Sequence, residues 1–273
     1  MRKLSGFIEL LIGILSGAIQ GISEWLPVSS KTLLLLIFYQ LGFSPSSAYL
    51  IGLFLNGATA SAAAIYFRSD LLKALKGFAA GGECRQLLLF LLFSTLVTAL
   101  VAVPLAFLIA GSLSTLGGFS MIMIGILFGF TSLMSWIRSD VKRSRIKLRN
   151  TPTLKDAILT GLAQGFSALP GISRSGVTIF ALILLRHHPS SAVRLSFLMA
   201  IPATLGGGVY AYLFSPSAVG ELAPITLVTS MCVSIAVSIV TISSLLKASQ
   251  KIKPHIFTAI LAVIAVAMGL IAL

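Results

Sequence analysis

Three charged residues, Glu24, Lys31 and Arg174, interrupt sequence that is otherwise strongly apolar. If the apolar runs cross a bilayer, each such charge costs roughly 2.5–3.5 kcal/mol on insertion scales, so it needs partners or water and marks a functional site by default. A structural alternative is that Glu24 and Arg174 only form an ion pair that locks two parts of the chain together. More hydroxyl and amide groups accompany the charges than one ion pair requires. They are Gln20, Ser23, Ser29, Ser30, Thr32, Gln164, Ser167, Ser173, Ser175 and Thr178.

A serine next to a carboxylate is the arrangement that could carry out nucleophilic chemistry here. Glu24 could act as a base, and Ser29 or Ser30 could be the attacking hydroxyl or a ligand of a phosphate group. Arg174 presents a planar fork of N–H donors that matches phosphate oxygens, and Lys31 adds a compact positive charge. These residue types predict an anionic ligand, with phosphate or diphosphate the natural choice.

Both groups of polar residues lie at breaks between predicted helices. Pro27 and Pro170 should each end a helix, and the serines that follow are good N-caps for the next helix. Two helix N-termini would then face each other, and their free N–H groups form an anion site that Gly171 allows a ligand to approach closely. We expect the phosphate groups to be bound by Ser29, Lys31, Ser173, Arg174, Ser175, Gly176 and Thr178.

The two breaks belong to a duplicated pattern. Residues 17–23, GAIQGIS, align with residues 161–167, GLAQGFS. After a gap of one residue, Leu-Pro at 26–27 aligns with Leu-Pro at 169–170. The chain is therefore predicted to be a duplication in which each copy contains a helix, a break and a second helix.

The composition places this duplication in a membrane. Of the 273 residues, 57% are hydrophobic and 10% are charged, and the mean hydropathy is +1.03. A soluble domain carries about 25% charged residues. A helix needs about 20 apolar residues to cross a bilayer. The runs long enough to do so are 46–67, 86–110, 115–137, 190–214, 222–246 and 255–273.

The two interrupted segments, 4–41 and 155–188, add a helical hairpin to each half. Each half then holds one hairpin and three spans, and an odd number of spans inverts the second half in the membrane. Broken helices in corresponding positions of inverted halves point to a binding site near the midplane. We predict an all-α integral membrane protein with six transmembrane helices and two re-entrant helical hairpins. Its single membrane domain would comprise a first repeat (1–140), a basic cytoplasmic loop (141–154) and a second repeat (155–273).

The positive charges predict the orientation. The formal net charge is +13, and sixteen of the 20 Lys and Arg residues fall in loops on one face of the predicted topology. The positive-inside rule makes this face cytoplasmic, so both termini would lie outside the cell membrane. We interpret the Arg-rich stretch 138–149 as a topology signal near anionic lipid rather than as a nucleic-acid site.

The positions of the cysteines and histidines argue against disulfide chemistry and against a metal site built on these residues. Cys84 lies in a charged loop and Cys232 in an apolar run, so neither a disulfide framework nor a CxxC metal site is available. The neighbouring His187 and His188, like His255, fall in predicted cytoplasmic loops. Adjacent histidines do not share a helix face, so we predict a surface role for them rather than a metal site.

At these motifs the chain closely resembles the undecaprenyl-diphosphate phosphatase family, also called bacitracin-resistance proteins. These are integral membrane enzymes that release phosphate from a polyprenyl diphosphate carrier. The first family signature, Glu or Gln with Glu four residues later and then Leu-Pro-x-Ser-Ser, is present over residues 20–30. The second, Pro-Gly-x-Ser-Arg-Ser-x-x-Thr, is complete over residues 170–178. The span pattern extends the resemblance to nearly the whole chain, and the family's inverted repeats agree with the predicted topology.

The resemblance implies roles for the residues of both motifs. Glu24, Ser30 and Arg174 would be catalytic, with Arg174 holding the diphosphate while Glu24 activates Ser30 or a water molecule. A divalent cation, Mg²⁺ or Ca²⁺, would assist near Gln20 and Glu24. The polyprenyl monophosphate product would return to cell-envelope synthesis, and the activity would confer bacitracin resistance. The implied partners are the lipid substrate, membrane lipids and, as a further candidate, a second copy of the chain in a homodimer.

One position departs from the family pattern. The family usually continues Ser-Ser-Thr-Gly-His where residues 29–33 read SSKTL, so Leu33 occupies the place of a histidine implicated in family catalysis. Lys31 could supply the lost positive charge. Because the leaving group is a phosphate monoester, general-acid help is less essential than for an alkoxide. The missing histidine and the inverted repeat also fit another class, a carrier that moves a polyprenyl phosphate or other anionic lipid across the bilayer without hydrolysis.

Overall fold

The structure, a computed structural model, describes residues 6–109, 122, 126, 148–169, 172–214 and 216–271. The predicted span 115–137 apart from residues 122 and 126, the first half (141–147) of the predicted basic loop 141–154, Pro170 and Gly171 lie outside the described residues. The helices of the described part are α1 (Gly6–Ser23), α2 (Ser30–Gln40), α3 (Pro45–Tyr66), α4 (Arg68–Lys76), α5 (Gly82–Ile109), α6 (Leu154–Phe166), α7 (Arg174–Leu184), α8 (Pro189–Phe214), α9 (Pro216–Gly220), α10 (Pro224–Lys251) and α11 (Pro254–Ile271).

Five of these helices are long and apolar enough to cross a membrane. Four of them, α3, α5, α8 and α10, coincide with predicted spans, and α11 covers residues of the predicted span 255–273 as far as Ile271. The fifth is α1, which the sequence assigned to one arm of a hairpin. With 18 residues and a rise of 1.5 Å per residue, α1 reaches about 27 Å, close to the thickness of the hydrocarbon core.

The two predicted breaks are both present. Residues 24–29 separate α1 from α2, and residues 167–173 separate α6 from α7. The serines after each break cap the second helix as predicted. Ser29 Oγ accepts a hydrogen bond from the Thr32 N–H at 3.4 Å, and Ser173 Oγ accepts one from the Gly176 N–H at 3.1 Å. Each second helix therefore begins directly at a residue of the polar motif.

The first helix of the chain packs closely against α10. The four-residue spacing of Gly13, Gly17 and Gly21 predicts a close helix contact, and these glycines face α10. A Cβ at Gly17 would lie 2.5 Å from the Ser230 carbonyl oxygen. Ser16 and Ser230 also share a hydrogen bond of 2.8 Å between their hydroxyl oxygens.

The second hairpin repeats this arrangement with α6 and α5. A Cβ at Gly161 would lie 2.8 Å from the Ser94 carbonyl oxygen, and one at Gly165 would lie 2.5 Å from Val101 Cβ. Across the same contact, Thr98 Oγ1 donates to the Gly161 carbonyl at 3.1 Å. Each broken helix pair is thus held by a long helix from the opposite predicted repeat.

We expect Gly17→Ala to lower the thermal stability of the purified protein. The added methyl group must displace the α10 backbone, and overpacking of this kind costs about 1–3 kcal/mol. Gly57→Ala is the matched control because a Cβ there meets nothing within 4 Å, and alanine favours the helix by up to about 1 kcal/mol. Unfolding temperatures in detergent give the comparison. Equal stability of the two variants would contradict the close contact.

One histidine prediction is wrong. His187 is 1% exposed, and its Nε2 lies 3.1 Å from Asp156 Oδ2. The same carboxylate receives Arg149 Nη2 at 3.0 Å on its other oxygen. The pairing with Asp156, 31 residues earlier in the chain, offsets the cost of burying the imidazole, and no local pattern around His187 indicates it.

Candidate functional site

The two breaks meet through an ion pair. Arg174, the first residue of α7, places Nη2 3.0 Å from Oε1 of Glu24, the first residue after α1. Glu24 is 6% exposed and Arg174 is 7% exposed. Burial of this kind makes each charge depend on the other, because an unpaired buried charge costs several kcal/mol.

The other carboxylate oxygen of Glu24 contacts the first break. Ser30 Oγ donates to Glu24 Oε2 at 2.5 Å, and Gln20 Nε2 donates to the same oxygen at 3.1 Å. Ser29 has no hydrogen bond to Glu24 among the described contacts, and its hydroxyl accepts from the Thr32 N–H and the Thr32 hydroxyl as the cap of α2. Of the two serines left open by the sequence, Ser30 is the one that contacts the carboxylate.

Trp25 supports the guanidinium group of Arg174 from one face. The Arg174 Cζ atom lies 5.2 Å from the centre of the indole ring, a cation–π distance. Trp25 is fully buried and packs edge-on against Phe197, with 4.8 Å between ring centroids. Arg174 Nη1 lies 3.5 Å from the Ser196 carbonyl oxygen. Trp25 therefore joins the ion pair to the main hydrophobic core.

Lys31 connects the two breaks a second time. Its Nζ donates to the carbonyl oxygen of Ser167, the residue that follows α6. Lys31 is 9% exposed and lies next to Ser30 in the first turn of α2. The ammonium group therefore satisfies a backbone carbonyl that α6 leaves free at its end.

The remaining residues predicted to bind phosphate contact other protein groups. Ser173 Oγ, at 3.3 Å, and Ser175 Oγ both donate to the Leu26 carbonyl oxygen, which fixes the second break against the first. Thr178 Oγ1 donates to the Arg174 carbonyl at 2.9 Å and shares a 2.6 Å hydrogen bond with Ser196 Oγ. Gly176 donates its N–H to the cap of α7.

Glu24, Lys31 and Arg174 line a cavity of about 250 Å³. Its walls come from both breaks and from α3, α5 and α8, and they are mostly apolar. Polar residues on the walls include Tyr49, Asn56, Thr98, Gln164 and Tyr210. Small or apolar residues complete the lining. They include Leu53, Ala99, Ala102, Val103, Pro202, Ala203, Gly206 and Gly207.

Asn56 belongs to the site although it lies in neither of the two sequence motifs. Its Oδ1 accepts from Gln20 Nε2 at 2.8 Å, so it belongs to the network that ends on Glu24. Asn56 is 5% exposed in the middle of the apolar helix α3. A strongly polar side chain at that depth is itself a signal of a site.

The oxygen atoms around Gln20 and Glu24 suit a hard divalent cation. Gln20 Oε1 is buried and has no hydrogen-bond partner, while Nε2 of the same amide donates to Glu24 Oε2. In the described part of the chain, no three His, Cys, Asp or Glu side chains come together. This single-carboxylate set fits Mg²⁺, which proteins bind through one or two carboxylates plus the phosphates of a substrate.

Charged groups from two helix breaks therefore face one cavity between helices long enough to cross a membrane. This defines a class, the multi-pass membrane proteins with a buried polar centre. The family model described as Bacitracin resistance protein BacA matches residues 13–267. The chain belongs to this bacitracin resistance protein family.

Relatives named undecaprenyl-diphosphatase match over almost the same length. The protein from Pyrobaculum aerophilum is 38% identical over 272 residues, 97% of this chain and 98% of its own. The protein from Saccharolobus solfataricus is 39% identical over 270 residues, 96% of each chain. A relative from Saccharolobus islandicus is 42% identical over 233 residues, 84% of this chain and 83% of its own.

Proposed function

We propose that the protein hydrolyses a polyprenyl diphosphate, undecaprenyl diphosphate in the names of its relatives, to the monophosphate and inorganic phosphate. The observation that carries this proposal is the Glu24 carboxylate, which contacts Arg174 through one oxygen and Ser30 through the other. The cavity beside it carries the charged groups of Glu24, Lys31 and Arg174, and most of its remaining wall is apolar. A ligand with an anionic head and a hydrocarbon tail matches both parts. The monophosphate would re-enter cell-envelope synthesis, which would account for bacitracin resistance.

The geometry supports a division of labour between the two breaks. Arg174 would bind the diphosphate oxygens and stabilise the charge that develops as the P–O–P bond breaks. Glu24 would accept the proton of Ser30 or of a water molecule as its oxygen attacks the terminal phosphorus. If Ser30 attacks, a phosphoserine forms and the polyprenyl monophosphate leaves. Water then cleaves the phosphoserine to release phosphate.

A divalent cation, Mg²⁺ or Ca²⁺, is part of the proposal. Gln20 Oε1 and the Glu24 carboxylate would hold it together with substrate oxygens, and it would neutralise phosphate charge. Asn56 Oδ1, which accepts from Gln20 Nε2 at 2.8 Å, adds an amide oxygen to the same network.

A phosphate-release assay tests the function. Purified protein in detergent should release inorganic phosphate from a polyprenyl diphosphate, and Arg174→Ala should release none. The alternative function, a carrier that moves a polyprenyl phosphate or other anionic lipid without hydrolysis, predicts no release by either protein. Transport of labelled lipid across a vesicle bilayer, with no phosphate release, would favour the carrier.

We expect Lys31→Ala to raise the KM for the diphosphate and to change kcat little. Lys31 lines the cavity as a point charge near the ion pair, and such a charge acts on ground state and transition state alike. Leu33→His should then help little, because Leu33 is not among the described residues that line the cavity. Steady-state kinetics of both variants give the comparison.

The competing hypothesis is that the site simply lacks a proton-transfer group. Lys31→Ala would then matter little, and Leu33→His would raise kcat with a new pH dependence near the histidine pKa of about 6.5. Lys31→Met separates charge from bulk, since it keeps the length of the side chain but cannot donate to the Ser167 carbonyl. A large kcat gain from Leu33→His would show that Lys31 does not compensate for the family histidine.

We propose that the protein lies in the cell membrane with both hairpins re-entrant and both termini outside. The same proposal includes a homodimer as the assembly and no nucleic acid as a partner. A cysteine at Ser144, in the basic stretch, should react with an impermeant thiol reagent only from the cytoplasmic side in a Cys84→Ser background. Cysteine labelling of intact cells and of inverted vesicles measures this. Labelling of Ser144→Cys in intact cells would overturn the orientation.

A further inference from the structure

A second cavity, of about 370 Å³, lies where α6 begins and α7 ends. The break between these two helices is at their other ends. Three cationic residues line it, Arg149 before α6, Lys155 in the first turn of α6 and Arg186 after α7. The rest of its lining is Thr153, Asp156, Leu184 and Leu185. None of these residues takes part in the site built on Glu24 and Arg174.

The acidic residue of this cavity is already neutralised. Asp156 is buried, and its carboxylate receives Arg149 Nη2 at 3.0 Å, His187 Nε2 at 3.1 Å and the Thr153 N–H at 2.8 Å. Lys155 and Arg186 form no ion pair with any described residue. The cavity therefore presents two uncompensated positive charges, and an anion would complete it.

The backbone fixes one of these charges in place. Arg186 has a φ of 64°, in the left-handed region that residues with side chains seldom adopt. Two hydrogen bonds hold this turn against the segment before α6, from the Arg149 N–H to the Arg186 carbonyl at 2.9 Å and from the His188 N–H to the Arg149 carbonyl at 3.0 Å. The guanidinium of Arg186 is thus carried by an ordered turn rather than by a free loop.

Apolar surface lies directly beside the charges. Leu184 lines the cavity and is 59% exposed, and Leu154, next to Lys155, is 47% exposed. One turn further along α6, Ile158 is also exposed. Free phosphate makes no use of such a surface, whereas the acyl chains of a lipid do. We propose that this cavity binds the phosphate headgroup of an anionic membrane lipid, with Lys155 and Arg186 on the phosphate and the chains along the exposed leucines.

Native mass spectrometry of the detergent-solubilised full chain tests the proposal. The probes are dioleoylphosphatidylglycerol and the zwitterionic dioleoylphosphatidylcholine. The variant is Lys155→Gln/Arg186→Asn, in which asparagine tolerates the left-handed backbone; Arg149 is kept because it pairs with Asp156. The control is Lys251→Gln/Lys253→Gln, which removes the same charge from an exposed segment of the same predicted face.

We expect the wild type to bind phosphatidylglycerol more tightly than phosphatidylcholine. The Lys155/Arg186 variant should lose about fivefold in phosphatidylglycerol affinity per cation removed, while the control changes less than about twofold. Equal losses in the two variants, or no preference for phosphatidylglycerol in the wild type, would overturn the proposal. Displacement of the lipid by millimolar inorganic phosphate would instead identify a free-phosphate site and would also overturn it. The outcome does not depend on whether the Arg174 site hydrolyses diphosphate.

Discussion

Arg174→Ala should abolish phosphate release while the protein remains folded. The variant loses the fork of N–H donors that would bind the diphosphate, and loss of one such transition-state donor costs about 10²–10³ in kcat. It also leaves the Glu24 carboxylate buried without its ion-pair partner, which costs about 3–5 kcal/mol. Glu24 keeps its hydrogen bonds from Ser30 and Gln20, so we expect a lower unfolding temperature rather than loss of the fold.

Two further variants separate the loss of the bidentate donor from the loss of charge and from the removal of any arginine. Arg174→Lys retains a positive charge next to Glu24 but not the bidentate fork, so it should be stable and still strongly impaired. Arg85→Ala removes an exposed arginine from the start of α5 and should leave activity unchanged. Gel filtration and thermal unfolding establish that each protein is folded. Activity near the wild-type value in folded Arg174→Ala would remove Arg174 from the proposed site.

Glu24→Gln should lower kcat by about 10²–10⁴, the usual contribution of a positioned acid or base. The substitution preserves volume but removes the carboxylate that accepts from Ser30 Oγ at 2.5 Å. If Ser30 is the nucleophile that Glu24 activates, Ser30→Ala should be equally damaging. The double variant should then be no worse than the more damaging single variant, because residues that act as a unit are not additive. Single-turnover phosphate release measures the chemical step for all three proteins.

The Ser30→Ala variant also distinguishes attack by Ser30 from attack by a water molecule. If Glu24 activates a water molecule instead, Ser30→Ala should retain most of its activity while Glu24→Gln does not. Ser61→Ala is the serine control, since Ser61 is exposed on α3 and bonds only to the Gly57 carbonyl among the described contacts. Independent, additive losses in Glu24→Gln and Ser30→Ala would contradict their action as a unit.

Local sequence predicted the parts of the site that depend on local physics. Proline and serine at 27–30 end one helix and cap the next because of their own backbone and side-chain chemistry, and the caps are present. The pairing of Glu24 with Arg174 could also be anticipated, since two isolated opposite charges in apolar sequence have few other ways to be satisfied. Both inferences use properties of the residues themselves rather than of their neighbours in space.

Other features depend on contacts between distant segments. His187 looks like a loop histidine until Asp156 is brought beside it, and the contact of Asn56 with Gln20 joins residues 36 positions apart. The long apolar helix α1 also illustrates the limit, because hydropathy alone does not separate an arm of a hairpin from a full span. Such contacts are fixed by tertiary packing, which leaves no periodicity in the sequence.

The packing of α1 against α10 has a consequence for biosynthesis. Ser16 and Ser230 are hydrogen-bonded although 214 residues separate them, so the glycine face of α1 cannot meet α10 until the ribosome has added those residues. Contacts of such sequence separation form slowly because a large loop must close first. The helix α1 is therefore among the last to reach its final neighbour in the folded protein.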